Sequence, residues 1–276
     1  MPFTKSREYT EIAPCEALRP YVRCFWGSVI PYRSEDCEDS GSEGLVTPDT
    51  CMDVIFDINH TNGSADSCFC GIDDRSFTAN GGDTVRGTVS TFGIRFYAWT
   101  AVLFSEDSMR GVRNARVDAG AHFSGLKKYL EPCLYESTDI FSRIALAEKY
   151  LLEHMNSVRE NALLSQAMGC ILTRRGVLRM KELSDETCAN ERRLERIFGE
   201  YIGISPKKIS ELIRYQYLWN ELLYTPNPDI QDLVYRFGYT DQAHLLRDFK
   251  RFHTMTPTEA RKLAYRNGGF LQDEMF

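Results

Sequence analysis

The sequence predicts an α+β chain made of a β-rich first part, a helical bridge and an all-α end. Three observations carry that expectation. Apolar residues alternate with polar ones in the first part, they recur at helical spacing from His122 onward, and a helix-turn-helix pattern near the carboxyl end is written twice.

The first part, assigned to residues 1–120, reads as strands and turns. Along Cys51-Met52-Asp53-Val54-Ile55-Phe56-Asp57-Ile58, the residues Met52, Val54, Phe56 and Ile58 fall on one face. Pro48-Asp49 and Asn62-Gly63 bracket this run with turn signals. Gly93 to Trp99 reads as another strand, and the acidic stretch between Ser34 and Gly44, with its serines and glycines, reads as a loop. Trp26, Tyr97 and Trp99 have two readings, core or pocket lining.

A helical segment, residues 121–157, follows. Leu126, Tyr129 and Leu130, then Ile140, Ile144, Leu151 and Leu152, recur at helical spacings. Pro132 is expected to mark a break, and Ser137-Thr138-Asp139 a fresh cap. These helices either cover the β part, bridge the two halves, or pair with a second chain. The polar stretch from Asn156 to Asn161 is placed as a linker.

The third part, residues 163–266, contains the repeat. Leu194, Arg196, Phe198, Tyr201, Ile204, Ser205 and Pro206 match Leu245, Arg247, Phe249, Phe252, Met255, Thr256 and Pro257 at a constant offset of 51. Upstream of each copy lies a shorter helix pattern, Met180-Lys181-Glu182-Leu183 in one and Ile230-Gln231-Asp232-Leu233 in the other. A helix-turn-helix needs an apolar face that locks two short helices, a permissive turn, and an outward face free to enter a groove. In the first copy Asn190 caps a helix whose core face is Leu194, Ile197, Phe198 and Tyr201; in the second, Thr240 or Asp241 caps one packing through Leu245, Phe249 and Phe252. Between them, Ser205-Pro206 starts a helix that Ile209, Leu212, Ile213, Leu218 and Leu222 carry to Leu223. Such a rod is roughly 28 Å long. One turn of B-DNA is about 34 Å, so the rod suits two recognition helices in successive major grooves.

Charge is divided in the same way. The net charge of the chain is −6, yet Cys170 to Arg266 carries 17 Lys and Arg against 13 Asp and Glu, leaving −10 for the remainder. A basic end on an acidic chain suits a polyanion binder whose attraction is local, because 0.1 M salt screens charge within about 10 Å. The amino terminus shows no secretory pattern and no stretch has the roughly 18 apolar residues of a membrane helix, so the expected location is cytoplasmic with no membrane partner. Nine irregularly spaced cysteines point to reduced thiols. Cys51, Cys68 and Cys70 raise the alternative of a regulator that senses redox state or metal, but no second paired spacing completes a metal site, and no metal or cofactor is expected. The five histidines are scattered and no nucleophile elbow or phosphate loop is present, so no enzyme is expected.

The carboxyl-terminal residues resemble the AraC-type transcription regulators. The resemblance rests on Asp232-Leu233 through Phe237-Gly238-Tyr239, Arg247-x-Phe249-Lys250-Arg251-Phe252 and Thr256-Pro257, and spans Leu163 to Ala264. The Pro48-Asp49 and Asp53-Val54-Ile55-Phe56 stretch is similar to the small β-barrel sensor of some members, which implies a cupin-like first domain and a small-molecule effector whose site is unknown. A regulator of this kind implies double-stranded DNA and RNA polymerase as partners, with a homodimer as a further expectation. The sequence departs from the family where Cys188 and Thr254 replace glycine, Val234 replaces a small residue and Leu246 replaces serine. Cys188 in a glycine position raises the expectation of a differently angled first unit.

The resemblance places base readers at Arg192, Glu195 and Arg196 on the first recognition helix, and at Gln242, Ala243, Leu246 and Arg247 on the second. Arginine can grip guanine at O6 and N7, glutamate can accept from cytosine N4, and Leu246 can meet a thymine methyl. Arg196 and Arg247 have a second reading, as braces paired with Glu200 or Asp248. Lys207, Lys208, Lys250 and Arg251 are phosphate candidates, and His244 reads as a packing or capping residue.

Overall fold

The computed structural model describes residues 9–33, 44–79, 87–137 and 139–266. The β-rich part contains strands β1 (Tyr9–Ile12), β2 (Val22–Ser28), β3 (Tyr32–Arg33), β4 (Gly44–Val46), β5 (Cys51–Asn59), β6 (Ser64–Cys70), β7 (Phe77–Ala79), β8 (Thr88–Tyr97) and β9 (Arg116–Asp118). One antiparallel sheet runs in the order β1-β2-β8-β5-β6-β9, with β3 also on β8, and β4 pairs β7 separately. Among the described residues this hydrogen-bonded path does not close, so the expected barrel is an open antiparallel sheet.

The alternation on β5 sets the core. Met52, Val54, Phe56 and Ile58 are all buried, and their partners across the ladder are Phe96, Ile94, Phe92 and Ser90. Two helices cover this face, α1 (Ser124–Glu136) and α2 (Ile140–His154), with Phe123 stacked on Phe96 at 5.8 Å. On the opposite face Trp26 donates to Asp53 (2.8 Å), which also pairs with Arg95 (2.8 Å). The indole lies flat against Gly93, where a Cβ would come within 2.1 Å of the ring. Trp26 is therefore core, and Tyr97 stacks on Trp99 at 5.1 Å.

Two details differ from the sequence reading. Strand β8 begins at Thr88 and ends at Tyr97, because Ser90 and Phe92 already face the core and Trp99 falls in a turn. Pro132 lies inside α1. The burial of Leu126, Leu130 and Leu134 on one face outweighs the loss of one helical hydrogen bond. The break comes at Ser137, and Asp139 caps α2 by accepting from Phe141 and Ser142. Of the expected loop between Ser34 and Gly44, residues 34–43 lie outside the described residues, and Gly44 opens β4.

The linker is anchored. Asn156 donates its N–H to Leu103 (2.8 Å), and Arg159 donates to the carbonyls of Ser105 and Asp107. Beyond it lie α3 (Ala162–Thr173), α4 (Met180–Thr187), α5 (Glu191–Tyr201), α6 (Pro206–Tyr224), α7 (Ile230–Arg236), α8 (Gln242–His253) and α9 (Pro257–Arg266). The caps follow the sequence: Asn190 accepts from Arg193, Ser205 from Lys208 and Asp241 from His244. His244 contacts Thr240 Oγ1 (2.8 Å) and meets Tyr239 edge-on, as a capping residue should.

A polar network fixes α8 on α6. Asp248 is 8% exposed and accepts from Arg214 (2.7 Å) and Tyr239 (3.0 Å), with Arg251 also within 3.0 Å. Burial alone works against the Arg214 charge, but Tyr239 and Asp248 outweigh it and raise its pKa. His253 is 4% exposed, packs on Phe249 and lies 2.7 Å from the Tyr215 hydroxyl. On α2, Arg143 is fully buried and its Nη2 donates to Ser90 Oγ at 2.8 Å.

Each helix-turn-helix passes twice through left-handed backbone, once in its turn and once after its recognition helix. The turn residues are Cys188 (φ 49°) and Gly238 (φ 65°), and the following residues are Gly203 (φ 86°) and Thr254 (φ 64°). Each unit thus has glycine at one position and a side chain at the other. For the β-branched Thr254 this is the more strained conformation.

Two outcomes follow from these features. Thr254→Gly raises unfolding free energy by about 1 kcal/mol in urea titration and Cys188→Gly by less, because glycine relieves left-handed strain; no gain for either contradicts the assigned backbone. Burial pushes the pKa of His253 down to about 4 from the ordinary 6.5. The unfolded chain therefore takes up this proton before the folded one does, and the stability present above pH 6.5 is lost as pH falls toward 4. Wild type loses roughly 3 kcal/mol more than His253→Gln over that window, and parallel curves for the two proteins contradict the burial.

Candidate nucleic-acid interface

The outward faces of α5 and α8 arise from their apolar stripes. On α5, Leu194, Ile197 and Phe198 are buried, which leaves Arg192, Glu195 and Arg196 exposed. On α8, Leu245, Phe249 and Phe252 are buried; Gln242, Ala243, Arg247 and Lys250 are exposed, and Leu246 is half-buried. Six of the seven expected base readers are therefore exposed on two capped helices, in their first two turns, and Leu246 packs partly against the core.

The brace reading divides between the two arginines. Arg196 lies 3.6 Å from Glu200, although its side chain is 62% exposed, so this pair leaves it mobile enough to engage a base. Arg247 does not brace Asp248, because Arg214, Arg251 and Tyr239 already occupy that carboxylate.

The phosphate candidates also separate. Arg251 is held by Glu211 and Asp248, both at 3.0 Å. Lys208 is held at 2.7 Å by Asp74, a residue of the β-rich part. Lys207 lines a groove of about 320 Å³ between the start of α4 and α6, together with Arg179, Arg214 and Glu211. Lys250 projects from α8 beside the reader face, exposed.

Helix α6 sets the spacing. Its 19 residues, roughly 28 Å long, keep Ile209, Leu212, Ile213, Leu218 and Leu222 buried as the periodicity predicts. Tyr215 and Trp219 add ring contacts to Phe252 (4.8 Å) and Phe249 (5.7 Å).

The sequence reading named Asp248 only as a brace for Arg247 and missed its pairing with Arg214, although a signal existed. Asp248 interrupts the stripe Leu245, Phe249, Phe252, and a carboxylate in an apolar stripe implies a buried cation opposite. Among the cysteines, Cys68 and Cys70 bring their sulfurs to 3.8 Å, and the eight described cysteines are free thiols. No group of three or more metal-ligating side chains occurs among the described residues.

Comparison with known proteins adds two domain matches. A helix-turn-helix domain model matches residues 183–263, and a domain of unknown function (DUF6597) matches residues 10–118. No curated protein matches the chain. Similar solved structures include an AraC-type regulator from Chromobacterium violaceum, 20% identical, covering 38% of this chain and 95% of that one with a TM-score of 0.35. A probable AraC family regulator from Rhodopseudomonas palustris is also 20% identical, covers 38% and 98%, and has a TM-score of 0.33. ToxT from Vibrio cholerae is 10% identical over 87% of this chain and 98% of its own, with a TM-score of 0.40. Residues 183–263 thus match a helix-turn-helix domain, and the solved structures to which the chain is similar include AraC-type regulators.

Proposed function

We propose that this chain is a sequence-specific regulator acting in the cytoplasm, whose β-rich first domain responds to a small-molecule effector. One observation supports the DNA-contact assignment above others: six exposed side chains and the half-buried Leu246 on two capped helices, joined by a helix of the length needed to reach successive grooves. Arg192, Glu195 and Arg196 read one groove, and Gln242, Ala243, Leu246 and Arg247 read the next. Lys207 and Lys250 hold phosphates, with the basic groove at Lys207 and Arg179 as one anchoring point. The domain bounds follow the same division, with 1–120 as sensor, 121–157 as connecting helices and 163–266 as reader. RNA polymerase and a second copy of the chain complete the set of partners.

An effector acts on such a chain only through unequal affinity for two arrangements. The acidic charge of the first domain supports this reading. No helix among the described residues is long and apolar enough to cross a membrane.

Selection of bound duplexes from a random pool identifies the operator and then separates the roles. Arg192→Ala and Arg247→Ala each weaken binding to the selected duplex by about 1–3 kcal/mol and relax preference at the base they read. Lys250→Ala weakens all duplexes alike and lowers the slope of log affinity against log salt by about 1. Unchanged binding in all three variants contradicts the assignment.

A further inference from the structure

The carboxyl ends of both recognition helices rest on the β-rich domain. At the end of α5, Met109 donates its N–H to the Glu200 carbonyl at 2.8 Å, and Arg110 lies 3.9 Å from the Glu200 carboxylate. The approach is close enough that a Cβ on Gly203 would come within 2.4 Å of the Met109 carbonyl. At the end of α8, Ser76 donates both its N–H (3.1 Å) and its hydroxyl to the Phe252 carbonyl. The last carbonyls of a helix have no partner within it, so these donors satisfy groups that would otherwise need water.

The two supporting loops form one unit. Asp74 donates its N–H to Asn114 Oδ1 (2.9 Å), and Asn114 Nδ2 returns a bond to the Asp74 carboxylate (2.8 Å). That carboxylate also takes Lys208 at 2.7 Å, in the first turn of α6, with Arg113 at 3.7 Å. One polar loop pair therefore touches α5, α6 and α8 together.

We propose that this loop pair is a positioning element for DNA binding, in which the β-rich domain holds the two recognition helices at a fixed separation and Asp74 with Lys208 is its ionic clamp. The proposal rests on the DNA-contact reading above. The side of docking decides its sign. The reader residues occupy the first two turns of α5 and α8, whereas Glu200 and Phe252 lie in the last turn, about 6–12 Å farther along α5 and about 8–15 Å farther along α8. Docking there leaves the reading edges open, so it orders the units without covering them. Ordering before binding removes a cost that the complex would otherwise bear. Lys208 is accordingly a positioning residue, and its ammonium is committed to Asp74 rather than to phosphate.

The test compares full-length proteins on the selected two-groove duplex and on a duplex keeping only one half-site. Asp74→Lys weakens two-groove binding by about tenfold and Asp74→Asn by about threefold, with one-half-site binding within about twofold of wild type. The charge exchange Asp74→Lys with Lys208→Glu recovers most of the two-groove affinity. Two-groove binding that is unchanged or tighter in Asp74→Lys overturns the proposal, the latter because the contact would then restrain the reader. Equal losses on both duplexes, or no recovery on exchange, also overturn it while the DNA-contact reading stands. Wild type that binds neither duplex removes that reading and the proposal together.

Discussion

The distance between the two recognition helices is the constraint on which the rest of the structure depends, and α6 holds it. Its 19 residues are buried on most sides. Tyr215 and Trp219 lock it to α8, and Arg214 sets a buried charge against Asp248. Bending α6 would expose apolar surface on both units and leave that charge unpaired, which costs several kcal/mol. Helix α6 therefore limits how far the two faces can move apart, and leaves their relative orientation to contacts at the ends of α5 and α8. Because the exposed residues proposed as base readers on α5 and α8 lie outside this packing, substituting them has little effect on stability.

The left-handed turns show how the duplicated unit tolerates substitution. Four backbone positions require positive φ, and glycine stands at Gly203 and Gly238. Cys188 and Thr254 adopt the same conformation with side chains in place, so tertiary packing overrides the local preference. Gly203 is also constrained by space, because the Met109 carbonyl lies where its Cβ would be.

Much of this arrangement was legible in the sequence, for a physical reason. The period of the apolar residues reports which face is buried, and the stripes of β5, α5, α6 and α8 were read correctly from it. Caps at Asn190, Ser205 and Asp241 are equally local signals. Properties set by residues distant in sequence were not legible. Closure of the sheet depends on pairing between its edges, and Pro132 stays in α1 because Leu126, Leu130 and Leu134 pack on the sheet. The partner of Lys208 lies 134 residues away, and no periodicity connects it to Asp74. The one pair with a local trace was Asp248 with Arg214, since the acid breaks an apolar stripe.

Hydroxyl-radical footprinting of the full-length protein on its selected duplex measures the spacing directly. Two protected patches on one face of the helix, centred about 10 base pairs apart, are the expected result. A single short patch, or two patches on opposite faces, would contradict simultaneous occupation of successive grooves by α5 and α8.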